Sequence, residues 1–218
     1  MRKNILQILT ILYAACPVVG FPQAPKDAVV ISNEDIKAVL KYAADTKRTI
    51  PDNSIRVIDM GKYQLAVGIV HRGATGGANA ATAAGNAGRG AAAPNPQAAC
   101  GERRSGATGP AGIYHDDTAE TYVVVSGSGT LITGGTIVNG TRSAADNEVT
   151  TILNGPSCNG TMVGYSSRQI KEGDVIVIPE GVPHGFTTIP DHVTYLSVRP
   201  DLKKVLQHGY VNPGLTKK

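Results

Sequence analysis

The sequence has no tryptophan and only two phenylalanines. An exposed aromatic platform for single-stranded nucleic acid is therefore not expected. Charge is sparse as well: Asp, Glu, Lys and Arg make up 17% of the residues, and the net charge is +4. Part of that excess sits at the ends, in Arg2-Lys3 and Lys217-Lys218. No interior run of Lys and Arg forms a stripe that could track phosphates, so no nucleic-acid partner is expected. There is no Gly-x-Ser-x-Gly nucleophile elbow and no Gly-x-x-x-x-Gly-Lys phosphate loop. No run is long and apolar enough to span a membrane as a helix.

What remains is a turn-rich globular chain. It holds 26 glycines and 13 prolines in 218 residues, with 41% hydrophobic side chains. That length suits one domain with extensions and a core that stands without disulfides. Residues 1–22 read as an export signal. Arg2-Lys3 is its positive region, a short apolar run follows from Ile5, and small residues precede Cys16. The competing reading is a buried N-terminal helix. Tyr13-Ala14-Ala15-Cys16 also resembles a bacterial lipoprotein cleavage box, although Tyr13 stands where Leu is preferred. The expected place is outside the cytoplasm, periplasmic or extracellular, with a lipid anchor on Cys16 as the lesser alternative. Cys100 and Cys158 could pair in an oxidising compartment, but both lie in loop-like sequence, and spacing does not show that they meet.

Ser32-Asn-Glu-Asp35 reads as a capping box, and Ile36, Val39, Leu40 and Ala43 follow on one helical face. A helix over roughly 33–46 is expected on the outside of a domain spanning 30–200. Strands are expected at 55–60 and 63–72. Residues 73–110 are dominated by Gly, Ala, Asn and Pro, and read as a low-complexity loop inserted between strands. A lid is the functional reading of that loop; a tolerated insertion is the preferred one. From Ala111 to Pro200 strands recur at 121–125, 130–133, 136–138, 161–165, 174–178, 185–189 and 193–198. Val175–Ile178 reads as a buried strand. A helical period returns only at 201–208, at the start of a tail over 201–218. Many short strands with tight turns argue for a sandwich or closed barrel.

The chemistry concentrates on three residues. Asp116-Asp-Thr-Ala119 is turn-like, so one strand could end at His115 and the next begin at Glu120, both facing one interior. Tyr122 and Val124 share the parity of Glu120. A carboxylate on such an apolar face is costly unless it is paired or binds a metal. Further on, Pro179-Glu-Gly-Val-Pro183 is a rigid loop that delivers His184 to the start of a strand.

These residues resemble the two motifs of the cupin superfamily. In the first motif His115 takes the second His place, Glu120 the Glu place and Gly127 the Gly place. In the second, Gly173, Pro179, Gly181 and His184 match at the family's intervals. Ile113 stands where the first His of the His-x-His pair would be, and Thr188 where the Asn would be. The resemblance implies an all-β, cupin-like double-stranded β-helix (a jelly-roll barrel), with the N-terminal helix and the Gly/Ala-rich loop as additions. It implies a divalent metal ion on His115, Glu120 and His184, with iron, zinc and manganese not distinguished. Two imidazoles and one carboxylate resemble the facial group of non-haem iron enzymes and are also a zinc set. A hydrogen-bonded polar cluster without metal is the alternative. His71, at a strand end, could supply the ligand lost at Ile113. Ile113, Tyr122, Tyr165, Phe186 and Thr188 are the candidate pocket residues. His192, His208, Asp116 and Asp117 read as solvent-facing. The implied partner is a small-molecule substrate or ligand. Dioxygenases, isomerases and lyases occur among such proteins, and so do non-catalytic binders and homodimers. No general base is assigned.

Overall fold

The computed structural model describes residues 24–75 and 98–216. The export signal, Cys16 and residues 76–97 of the inserted loop lie outside the described residues. Among those described, no helix is long and apolar enough to cross a membrane.

Helix α1 runs over Asn33–Asp45. It starts where the capping box places it: Ser32 Oγ accepts from the Asp35 N–H, and the Asp35 carboxylate accepts from the Ser32 N–H. Replacing Ser32 by alanine is expected to lower the unfolding free energy by about 1 kcal/mol. Urea titration followed by circular dichroism reads that shift, and an unchanged midpoint would remove the cap from the account.

Eleven strands follow: β1 Asp52–Asp59, β2 Gln64–Gly73, β3 Ala99–Cys100, β4 Ala111–His115, β5 Glu120–Thr133, β6 Thr136–Arg142, β7 Ser157–Val163, β8 Ser166–Lys171, β9 Val175–Ile178, β10 His184–Thr188 and β11 His192–Asp201. All pair antiparallel. The long β5 serves two sheets. Its first half lies between β11 and β9, in the order β1-β2-β11-β5-β9. Its second half lies between β10 and β8, in the order β8-β5-β10-β4-β7-β6-β3. The strand turns the corner at Gly127-Ser128-Gly129. Gly127 has φ +73°, and a β-carbon there would lie 2.0 Å from the His192 carbonyl oxygen, so the bend needs glycine. The two expected strands at 121–125 and 130–133 are therefore one bent strand.

The sheets face each other across a core that includes Val70, Tyr122, Val124, Leu131, Phe186, Val193 and Tyr195. This is the all-β double-stranded β-helix expected from the motifs. Helix α1 covers the outer face of the first sheet, where Val39 packs on Ile55 and Ile69. Val175 and Val177 are 62% and 68% exposed, which corrects the expectation of a buried strand. β9 pairs only with β5, and only Ile176 and Ile178 turn toward the core.

Other expectations also change. Residues 201–208 form turns, because the Asp201 carboxylate accepts from the backbone N–H groups of Val205 and Leu206 and holds the chain out of a helix. The one short C-terminal helix, α2, is Pro213–Thr216. The chain from 201 folds back: Leu206 packs on Val57 and Ala66, and Asn212 Nδ2 donates to the Ser54 carbonyl. A strand at 166–171 and a π-helical turn at Val149–Leu153 carried no signal in the sequence reading. Cys100 and Cys158 lie in β3 and β7 and form a disulfide.

Candidate metal centre

β4 ends at His115 and β5 begins at Glu120, with Asp116–Ala119 as the turn between them. The turn lets both side chains face inward, and each is buried. Loop Pro179–Pro183 then sets His184 at the first position of β10, opposite Ile113 of β4. The donor atoms of His115, Glu120 and His184 lie within 4.8 Å of one another. Glu120 Oε2 is 3.3 Å from His115 Nε2 and 3.0 Å from His184 Nε2.

The surroundings fix both imidazole tautomers. Ser157 stands directly across from His115 on β7, and its hydroxyl donates to the Gly155 carbonyl at 2.8 Å. Its one hydrogen is thus committed, and Ser157 Oγ accepts from His115 Nδ1–H at 2.8 Å. His184 Nδ1 is 3.0 Å from the Val182 carbonyl, which can only accept. In its neutral form each ring therefore aims an Nε2 lone pair at Glu120 Oε2. Burial pushes the His115 imidazolium below its ordinary range, against the opposing pull of Glu120, and so favours the neutral ring.

Glu120 is held from behind. Its Oε1 accepts from Asn154 Nδ2 at 3.0 Å, Ser197 Oγ at 2.9 Å and Arg199 Nε at 2.9 Å. Its Oε2 also accepts from the Tyr122 hydroxyl at 2.9 Å. Burial opposes the charged carboxylate, and the Arg199 guanidinium is the largest of the influences that hold Glu120 well below the usual carboxylate range all the same. Burial and the Glu120 charge push the Tyr122 phenol well up, so it stays protonated.

Arg199 is fully buried on β11 and reaches across β2 to Asp52 on β1, with Nη2 2.5 Å from Asp52 Oδ2. Gly68 of β2 makes that reach possible: a β-carbon there would lie 3.1 Å from Arg199 Nη1. Burial works against the guanidinium charge, and Asp52 and Glu120 more than restore it. The result is a buried row, Asp52–Arg199–Glu120, ending at the two imidazoles.

The residues fit a divalent ion. A metal with bonds of about 2.1 Å sets its donors about 3.0 Å apart at right angles and about 3.4 Å apart in a tetrahedron. The two separations on Glu120 Oε2 fall in that interval. Two neutral nitrogen lone pairs converging on one carboxylate oxygen also repel unless a cation lies among them. Locked Nδ1–H tautomers and a fully hydrogen-bonded carboxylate are the outer-shell supports that metal ligands carry.

A cavity of about 400 Å³, part of it open to solvent, reaches these atoms. Of the expected pocket residues, Ile113 and Tyr122 line it. The other three do not. Tyr165 packs beside the disulfide, and Phe186 lies in the core against Tyr195, their rings 6.0 Å apart. Thr188 is exposed beyond a register shift in β10, which carries it off the inward face. Ile113 packs on Val149 and Leu153 as an apolar wall. His71 is exposed and hydrogen-bonded to Thr194, away from the centre, so it does not replace the ligand lost at Ile113. His192 is bonded to Ser126 and Asp191, and His208 to Gln64. Asp116 and Asp117 are half-buried and paired with Arg142 and Lys203, rather than simply facing solvent. Arg72, Asp52, Tyr195 and Arg199 line the cavity and were missed. For Arg199 there was a signal: it continues the inward parity of Val193 and Tyr195, and a charge in such a row needs a partner.

No protein-family model matches the chain, and no curated protein sequence matches it. Solved structures do. BH2720 from Bacillus halodurans is 14% identical over 87% of this chain and 92% of its own, with a TM-score of 0.37. An uncharacterised conserved protein with a double-stranded β-helix domain from Klebsiella pneumoniae is 15% identical over 69% and 74%, with a TM-score of 0.31. The iron(II) form of HppE is 14% identical over 68% and 50%, with a TM-score of 0.30. Likeness of this degree carries no activity or ligand over to this chain.

Proposed function

We propose that this chain is an exported, cupin-type metal protein and a metal-dependent enzyme acting on a small organic molecule, of dioxygenase, isomerase or lyase type. The observation that carries the metal reading is the convergence of two locked imidazole nitrogens on one oxygen of Glu120. His115, Glu120 and His184 would hold the ion through His Nε2 atoms and Glu120 Oε2. When bound, the ion supplies Lewis acidity or a redox centre. Ser157 and the Val182 carbonyl orient the two rings, and Arg199, Ser197 and Asn154 hold the carboxylate. Ile113, Val70 and Leu153 give one part of the cavity wall an apolar surface. The Cys100–Cys158 disulfide supports the export reading, because such bonds persist in oxidising compartments.

A second reading, ligand capture without turnover, is favoured by one feature. The other acidic groups lining the cavity, Asp52, Tyr122 and Tyr195, are already engaged with Arg199, Glu120 and Arg72. None of them stands out as a general base.

Metal analysis of the purified chain, after loading with iron, zinc or manganese, is expected to find one divalent ion per chain. His184→Ala is expected to weaken binding beyond the roughly 10–100-fold that loss of an outer-shell partner costs. A wild-type chain that retains none of the three metals rejects the metal centre. With metal bound, oxygen uptake over phenolic and keto compounds would mark an oxygenase, and turnover without oxygen an isomerase or lyase. Binding without any turnover would leave capture.

A further inference from the structure

One side of the cavity beside the centre is apolar, and the metal reading gives it no task. Ile50, Ile113, Val149 and Leu153 all line the cavity and form one cluster, with Ile152 packed against it. Three separate segments supply this wall. Ile113 lies on β4, two residues before His115 and so on the same face, and directly opposite His184 of β10. Cross-strand neighbours have β-carbons about 4.5–5.5 Å apart. Ile113 therefore stands beside both imidazoles. Val149 and Leu153 come from the π-helical turn, and Ile50 from the loop before β1.

The wall is fixed at its ends. Asn154, which follows the π-helical turn, donates to Glu120 Oε1. Glu148, which precedes it, accepts from Arg48 at 2.7 and 3.0 Å through both carboxylate oxygens. Such a two-bond pair holds its geometry. Arg48 also donates to the Asp52 carbonyl at 3.0 Å, which ties down the loop that carries Ile50. Ile113, Val149 and Leu153 are 6%, 3% and 1% exposed, so the wall is close-packed and has little room to give.

That placement has a chemical consequence. A donor atom that joins the metal from the cavity carries its neighbouring atoms toward Ile113. Carbon gains there by leaving water. A polar atom there would lose its hydration with nothing to replace it.

We infer that Ile113, Val149 and Leu153 form an apolar subsite beside the metal, which selects short aliphatic ligands whose donor group is flanked by bare carbon and turns away bulkier ones. Ile113 sets the size limit, because it stands nearest both imidazoles in the fold. The inference rests on the metal reading.

The test uses the full chain loaded with cobalt(II), whose visible absorption changes when a ligand joins the metal. The probes are formate, acetate, propionate, isobutyrate and pivalate, which share one head group and differ in carbon alone. Metal content is measured on the same samples. In the wild type, binding is expected to tighten about fourfold for each added carbon that meets the wall, and then to fall at least tenfold by pivalate. Ile113→Ala is expected to move the tightest acid to a larger one and to raise pivalate relative to acetate tenfold or more. Ile113→Val and Ile113→Thr are close in shape and differ in polarity. The threonine variant is expected to lose at least threefold in the propionate-to-formate ratio against the valine variant, and this pair decides the matter if the alanine variant does not fold. The inference is overturned if all five acids bind the wild type alike. It is overturned too if the Ile113 changes move all five affinities by one common factor, or if the valine and threonine variants share one ratio. A chain that holds no cobalt, iron, zinc or manganese has lost the metal reading itself, which the metal content shows, and the subsite falls with it.

Discussion

Replacing Arg199 by methionine is expected to destabilise the fold by about 3–5 kcal/mol. Arg199 is fully buried and lies between two carboxylates, within 2.9 Å of Glu120 Oε1 and 2.5 Å of Asp52 Oδ2. It also donates to the Leu153 carbonyl at 3.2 Å. Methionine can occupy much of the same volume but leaves both carboxylates without their cation. Removing one member of a buried ion pair costs far more than the pair contributes, because the remaining charge stays desolvated. Urea unfolding of the metal-free chain measures the loss. The control is the triple variant Asp52→Asn, Glu120→Gln, Arg199→Met, which removes every formal charge in the row. It is expected to recover most of the stability lost in the single variant, since neutral replacement of a whole buried cluster is often close to neutral. Equal losses in the single and triple variants would mean that Arg199 acts through packing alone. The same single change is expected to weaken metal binding, because Glu120 Oε1 loses one of three donors and the carboxylate is freer to turn.

How much of this was legible in the sequence depends on how far each partner lies along the chain. The loop from Gly173 to His184 was legible because its signals are local. Turn glycines and two prolines fix the path, and His184 follows at a set interval. The inward direction of Glu120 was legible through the shared parity of Tyr122 and Val124. Ser157 was not, because only the β4–β7 register places it opposite His115, 42 residues away. Arg199 and Asp52 are separated by 147 residues and meet only because β2 lies between their strands and carries glycine at the crossing. Phe186 and Thr188 miss the cavity for different reasons: Phe186 faces inward but packs in the core beside Tyr195. Thr188 was taken from its place in the second motif, but the register of β10 shifts after Phe186 and turns the strand's end outward. The error at β9 came from reading four consecutive apolar residues as burial on both faces. Such a run is equally compatible with an edge strand that nothing covers.

Opening the Cys100–Cys158 bond is expected to cost about 4 kcal/mol on the chain-entropy account of a crosslink that closes a loop of this length. The two cysteines are 58 residues apart, with α-carbons 6.1 Å from each other. The bond joins the short edge strand β3 to β7 across β6, in a cluster with Ile132, Ile137 and Met162. It also encloses part of the centre. His115 and Glu120 lie within the closed loop, while His184 and Arg199 lie beyond it. Cys158 is the neighbour of Ser157, which holds His115. Stability and site geometry should nevertheless separate. The His115–Ser157 contact is a cross-strand pair in the β4–β7 ladder, and that ladder's own hydrogen bonds keep its register without the sulfur bridge. The double variant Cys100→Ala, Cys158→Ala avoids new polar groups in the cluster and isolates the loss of the bond. Its urea midpoint is expected to fall and to be unmoved by reductant, whereas the wild-type midpoint should drop to meet it when reductant is added. Metal affinity, measured below the unfolding range, is expected to change less than threefold. A variant that keeps the wild-type midpoint would show that β3 contributes no constraint. One that keeps its fold but loses metal tenfold would show that the bridge, and not the ladder, positions Ser157.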